Sequence, residues 1–360
     1  MQRRWRVLCL MLLLCSWATL NAQEKRWRVG YDFFFDNQEY ARSTFAPAQT
    51  MKGMWLSPVG GIVWESGLSS NALYAGAYLL SIPGSKETID KLQALLYYQY
   101  DSPKVLFRAG AFPRGEVLPN YSDLFFRDSV TYFRPLMQGL FFQVGRGRNF
   151  MNVWMDWTGH ATPDARESFF LGASGKASAG LFFADFQSYM FHYAGTLPMN
   201  PAYGVSEQLQ GLFSLGVERD RDSGFKGMAS VGLFIGLERD RKADETYLPV
   251  GFTVRANAEL HGIGTENTLY VGDARSRLFS RYGTDLYWGS RFLQGSPYLQ
   301  SKWYIRLMES GYVAVKLNGN LHVSQGEAMF QQVLTVAVSV DNFSEPGSGR
   351  LTFPWMKLFR

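Results

Sequence analysis

The sequence predicts an all-β chain that closes into one antiparallel up-and-down β-barrel of about 18 strands, with 14 to 18 admissible. Three observations predict it. Long segments alternate strictly between apolar and polar residues. Many such segments follow one another with no helical period between them. Short and long connections take turns along the chain.

The alternation is plainest between Leu209 and His261. Phe225, Gly227, Ala229, Val231, Leu233, Ile235 and Leu237 share one parity, against Lys226, Met228, Ser230, Gly232, Phe234, Gly236 and Glu238 on the other. Phe252, Val254, Ala256, Ala258 and Leu260 stand likewise against Thr253, Arg255, Asn257, Glu259 and His261. Successive side chains of a strand point to opposite faces, so each segment is a strand with one apolar and one polar face.

Taken in order, strands are expected at 26–36, 51–64, 71–80, 92–100, 105–112, 136–146, 149–158, 169–176, 180–190, 209–217, 225–238, 252–261, 267–273, 284–292, 298–308, 313–321, 330–340 and 351–359. Pro58 predicts a bulge or local break in the second, because proline cannot donate to a ladder. Residues 86–96 also admit a short helix, and a strand from about Leu92 is preferred. Connections near 65–70, 101–104, 146–149, 176–179, 219–224, 261–266 and 293–297 are short, those between them mostly longer, and Glu309-Ser310-Gly311 is the exception. An even strand number puts both termini on the short-turn rim.

Alternation alone does not say which solvent meets the apolar face. A soluble barrel points it inward, a membrane barrel outward to lipid. Strands of about 9–11 residues match a tilted bilayer span, and no boundary divides the chain into two domains. Arg3, Arg4 and Arg6 followed by the apolar run 7–20 read as a secretory leader with a cut after Ala22, which leaves 23–360 as the barrel domain. Both cysteines, Cys9 and Cys15, fall inside that leader, so the exported chain builds no disulfide. Losing the leader lowers the formal net charge from +5 to about +2, which removes the support for a nucleic-acid partner.

The chain ends in an alternating aromatic segment, Leu351, Phe353, Trp355 and Phe359. With the leader, the strands and the unequal loops, this resembles bacterial outer-membrane β-barrels of the porin-like kind, over residues 26–360. Two departures stand: Arg360 follows Phe359, and Lys357 interrupts the apolar row. The resemblance implies passage of small polar solutes across the outer membrane, with outer-membrane lipid and the barrel-assembly machinery as partners. It implies no cofactor and fixes no oligomeric state.

The connection 113–135 carries Arg114, Glu116, Asp123, Arg127, Asp128 and Arg134 among Tyr121, Phe125, Phe126 and Tyr132. Folded inward it would set opposed charges across a pore constriction; a solvated surface loop is the competing reading. Lys226, Ser230, Arg255, Asn257, Glu259, Lys316 and Asn318 are expected to line the lumen. Asp156, His160, Asp164, Arg166, Glu167 and Ser168 gather at one strand end and could form a Ser-His-Asp relay, with His192 on the same rim. Glu259, His261 and His322 are expected near one rim, but their spacing sets no metal site. Asp220-Arg221-Asp222-Ser223-Gly224 has a calcium-loop look without the downstream acid and reads as a turn. The segments 215–221 and 235–241 resemble one another and read as charged ends on opposite rims. No phosphate loop, CxxC pair or nucleotide fingerprint occurs. The expectation is therefore a channel or porin-like transporter with no catalytic residues, hence not an enzyme. The alternatives are an outer-membrane hydrolase at 156–168, or a barrel serving as anchor or subunit of a secretion or surface-assembly complex. No plug or energy-coupling motif precedes the strands, which speaks against an energised transporter.

Overall fold

The computed structural model describes residues 24–220, 224–342 and 351–359. The expected leader and most of the 220–224 turn lie outside the described residues. Strands form where the alternation runs. The first nine are β1 (Glu24–Glu39), β2 (Gln49–Ser66), β3 (Ser69–Ser81), β4 (Lys91–Asp101), β5 (Val105–Pro113), β6 (Leu136–Arg146), β7 (Asn149–Gly159), β8 (Ser168–Ala179) and β9 (Phe182–Tyr193). The rest are β10 (Ser206–Asp220), β11 (Phe225–Asp240), β12 (Glu245–Tyr247), β13 (Val250–Leu260), β14 (Ile263–Gly272), β15 (Tyr298–Glu309), β16 (Val313–Ser324) and β17 (Glu327–Asp341). Pairing is antiparallel throughout, and β1 pairs with both β2 and β17, which closes the barrel. The three-residue β12 pairs only with the end of β11, so the wall has 16 strands. Closure matters physically because lipid leaves no water to satisfy an open edge.

Two expected strands are absent, and they account for the difference from 18. Residues 284–292 belong to the long connection after β14, where Gly283 breaks the backbone at φ 53° between two short helical pieces. Residues 354–359 form a 3-10 turn against β15, with Trp355 donating to the Leu307 carbonyl at 3.1 Å. Pro354 cannot extend a ladder, and the β1–β17 seam leaves no edge for a further strand. Removing the 284–292 strand also returns Ser310–Tyr312 to the regular short-turn rim. The exceptional connection is instead Gln325-Gly326, a two-residue turn on the long-loop rim. The break expected at Pro58 is present: the β2–β3 ladder stops at Leu56 and resumes at Val59. Both described ends of the barrel, Glu24 and Asp341, lie on the short-turn rim.

Facing follows parity. Leu215, Val231 and Phe252 are 67%, 60% and 66% exposed on the outer wall, whereas Ser214, Ser230 and Thr253 are buried inside. An apolar exterior over a polar interior is the membrane arrangement. Inward positions alternate large with small where a ring must lie flat: the Trp154 indole covers Gly172, and a Cβ there would stand 2.1 Å from it.

The lumen is filled from the long-loop rim. The 114–135 connection dives inward with α1 (Arg114–Val117) and α2 (Asp128–Phe133), and 273–297 follows with α3 (Phe279–Leu286). Phe125 packs 5.6 Å from both Tyr189 and Phe234, Phe170 meets Trp288 edge-on at 4.9 Å, and Tyr132 stacks on Phe34 at 4.4 Å. This aromatic layer is the protein's core.

Candidate functional site

The charges of the plug act as pegs into the wall. Arg114 is buried with its Nη2 2.5 Å from Asp156 Oδ2 and donates to the Arg134 and Leu136 carbonyls. Glu116 takes both Arg28 and Arg108 at 2.7 Å. Burial would raise its carboxyl, but the two guanidinium groups outweigh that and hold it below the usual range. Asp123 accepts from Lys302 at 2.7 Å and Gln300 at 2.9 Å, and Lys302 likewise overcomes the burial that would raise it. Asp128 is raised by burial and by Asp123 nearby, with Gln331 Nε2 bonded to it at 2.9 Å and shared with Asp36 at the same distance. Arg127 donates to the Tyr287 carbonyl at 2.6 Å, and Arg134 lies 4.7 Å over the Trp288 ring. Sequence reasoning passed over Asp36 and Gln331, inward positions at a strand end.

This plug divides the lumen. Above it lies a vestibule of about 980 Å³ open to the long-loop rim, and below it one of about 460 Å³. A void of about 70 Å³ between them shares Arg127 and Ser129 with the upper cavity and Asp123 and Gln300 with the lower. Of the expected lumen residues, Arg255 bridges Ser230 and Asp185 (3.0 Å to Oδ2), and Asn257 borders the lower vestibule. Glu259 accepts from Tyr304 at 2.8 Å and pairs with Arg306. Lys316 stands 4.0 Å over the Tyr304 ring, Asn318 is half-buried, and Lys226 takes the inward parity at the short-turn rim. His322 sits near the opposite rim from Glu259 and His261, because its strand runs the other way, so the three do not meet. Among the described residues no cluster of three or more potential ligands could hold a metal.

The 156–168 relay is not assembled. The Asp156 carboxylate is occupied by Arg114 and the Gln138 amide, Ser168 bonds Thr158 at 2.8 Å, and His160 is exposed at the loop. Another imidazole does meet a carboxylate. His192 and Glu207 stand opposite each other across β9 and β10, with Nδ1 3.4 Å from Oε1. Arg241 grips the same carboxylate through two nitrogens, at 2.5 and 3.1 Å. The other side of the ring stacks on Phe169 at 4.9 Å. In register with this pair run Trp157, Phe169 and Arg239, one row around the outer wall. Trp157 is 45% exposed on that side, which puts the row at the lipid-facing surface beside the long-loop rim. Glu207 and Arg241 escaped sequence reasoning, yet a signal existed: Glu207 and His192 occupy the apolar parity of their strands. An imidazole whose Nδ1 faces a fixed carboxylate presents Nε2 as a general base.

A second polar set on the outer wall joins Asn37, Gln332, Glu39 and Thr50, with Asn37 Nδ2 2.8 Å from Gln332 Oε1. It holds no imidazole. Glu39 accepts from both amides.

A family model described as "Lipid A 3'-O-deacylase-type" matches residues 19–342. No curated protein matches the sequence. Among solved structures, OpdL of Pseudomonas aeruginosa superposes with a TM-score of 0.51 at 10% identity, over 89% of this chain and 99% of that one. A loop-deletion variant of the outer membrane protein OmpT of Vibrio cholerae gives 0.52 at 8% identity, over 89% and 100%. OccAB4 of Acinetobacter baumannii gives 0.50 at 9%, over 90% and 100%. At such identities the likeness concerns the fold, an outer-membrane β-barrel. The family description names an enzyme, and that match overturns the expectation of a protein without enzymatic activity. His192 and Glu207 come from separate strands and meet only through their register, so no fixed spacing in the sequence marks the pair.

Proposed function

We propose that this chain, which belongs to the lipid A 3'-O-deacylase-type family, is an outer-membrane hydrolase that cleaves an acyl ester of an outer-leaflet lipid. The observation that carries this reading is the His192–Glu207 pair on the lipid-facing wall, 3.4 Å apart and steadied by Arg241. A lipid ester reaches this wall without leaving the leaflet. His192 Nε2 takes a proton from water as the water oxygen attacks the ester carbonyl, and Glu207 steadies the resulting imidazolium through Nδ1–H. The tetrahedral intermediate collapses with loss of the alkoxide, which recovers the proton from Nε2. A fatty acid and a free hydroxyl leave. Arg239, exposed and opposite Glu207 in the ladder, is placed to meet an anionic headgroup or the oxyanion. Export through the leader 1–22 and insertion by the barrel-assembly machinery belong to the same reading.

The test is fatty-acid release from lipid A in detergent micelles, followed by mass spectrometry. His192→Ala should lower it about 10²–10⁴-fold, the usual worth of a general base. Unchanged release in this variant moves the chemistry elsewhere, and none from the native chain removes lipid A as substrate.

The two vestibules favour a second reading, passage of small polar solutes. The void between them shares residues with both cavities, so movement of the 114–135 segment would join them. Conductance in planar bilayers tests it.

A further inference from the structure

Five cations line the upper vestibule, Arg127, Arg134, Arg166, Lys242 and Arg281, against three carboxylates, Asp164, Asp240 and Asp285. Arg127 and Arg134 flank α2, and both lean on Trp288: the Arg127 amide donates to the Trp288 carbonyl at 3.0 Å, and Arg134 covers the indole. Neither has a carboxylate within ion-pair distance among the described residues. Arg127 spends Nε on Ser129 and Nη1 on a carbonyl, and Arg134 spends only Nη1, on Thr158 at 3.3 Å. Both residues line the cavity, and their remaining donors have no acceptor among the described residues. Arg166 adds a third such cation, held by the Tyr193, Ala194 and Gly204 carbonyls and lying 3.7 Å over the Tyr193 ring. Crowding is felt within the group: burial, with Arg291 and Arg134 adjoining, lowers Arg127 to about 10. Like charges held together in a cavity are stabilised by an anion that takes their spare donors. The cavity's size is that of a small-molecule site. Tyr203, exposed at the cavity, and the Thr158 and Thr284 hydroxyls suit the apolar face and hydroxyl rim of a sugar ring.

We propose that the upper vestibule binds a small phosphorylated sugar, with the phosphate held by Arg127 and Arg134. The site lies inside the barrel and is separate from His192 on the outer wall.

Calorimetric titration of the detergent-solubilised full chain with glucose 6-phosphate, glucose and inorganic phosphate tests this. Glucose 6-phosphate should bind saturably and weaken as salt rises from about 50 to about 300 mM. Arg134→Gln should weaken it about tenfold or more, equivalent to 1.4 kcal/mol. His192→Ala should bind as the native chain does, so this proposal and the hydrolase reading fail separately. Equal binding of glucose, binding of phosphate as tight as that of the phosphosugar, no binding at all, or an unaffected Arg134→Gln each overturns it. Should Arg134→Gln lose the heat-modifiable gel mobility of a folded barrel, Arg127→Lys serves instead. That variant keeps the charge but loses the fork, and it too should bind more weakly.

Discussion

His192 and Glu207 face each other across neighbouring strands on the side of the barrel that meets lipid, with their polar atoms 3.4 Å apart. A carboxylate on that surface is costly unless it is paired, and Arg241 supplies the pair just beyond the end of β11. The arrangement therefore holds an imidazole at the membrane interface in one orientation.

Glu207→Gln should lower kcat of lipid deacylation about 10-fold or more and leave KM nearly unchanged. Glu207→Asp, which keeps the carboxylate, should recover part of the lost kcat. A purely structural Glu207 would change the yield of folded barrel without changing kcat per folded chain.

Val231→Arg puts a cation at mid-strand on the lipid face, which costs about 2–4 kcal/mol. Ser230→Arg faces the lumen beside Asp185 and Arg255. The first should abolish heat-modifiable mobility and the second should retain it. Equal behaviour of the two would refute the assigned facing.

Arg114→Ala leaves Asp156 charged and buried, with only the Gln138 amide beside it. Breaking such a pair costs about 3–5 kcal/mol, whereas the double change Arg114→Met with Asp156→Asn should cost clearly less. Denaturant unfolding in detergent reads the difference.

Glu116 is held below the usual carboxylate range by Arg108 and Arg28, which outweigh its burial. A depressed folded pKa gives stability that is present above the unfolded value of about 4.3 and lost as pH falls through the folded one. Acidification below about pH 4 should therefore loosen α1 from the wall and raise planar-bilayer conductance. Glu116→Gln should conduct at neutral pH. A conductance independent of pH between 3 and 7 in the native chain would count against the plug being pinned this way.

Much of the wall was legible because a membrane barrel repeats one local rule. Parity placed Ser230 and Arg255 inside and Val231 outside, and Pro58 marked its own break. The two strands read in excess, 284–292 and 351–359, have strand-like composition, but tertiary context overrode it. One packs as plug and the other meets a barrel already closed. The hydrolase cluster read at 156–168 failed for a related reason: Asp156 serves as an anchor for Arg114, a contact 42 residues apart.

By itself the sequence determined the fold class, which residues share a face and the alternation of rims, since these follow from side-chain period and turn chemistry between adjacent segments. Tertiary structure alone decided that the 114–135 connection fills the lumen. It also decided that His192 meets Glu207 rather than a triad at 156–168. Both depend on strand register and on the path of long loops, quantities that no local pattern carries.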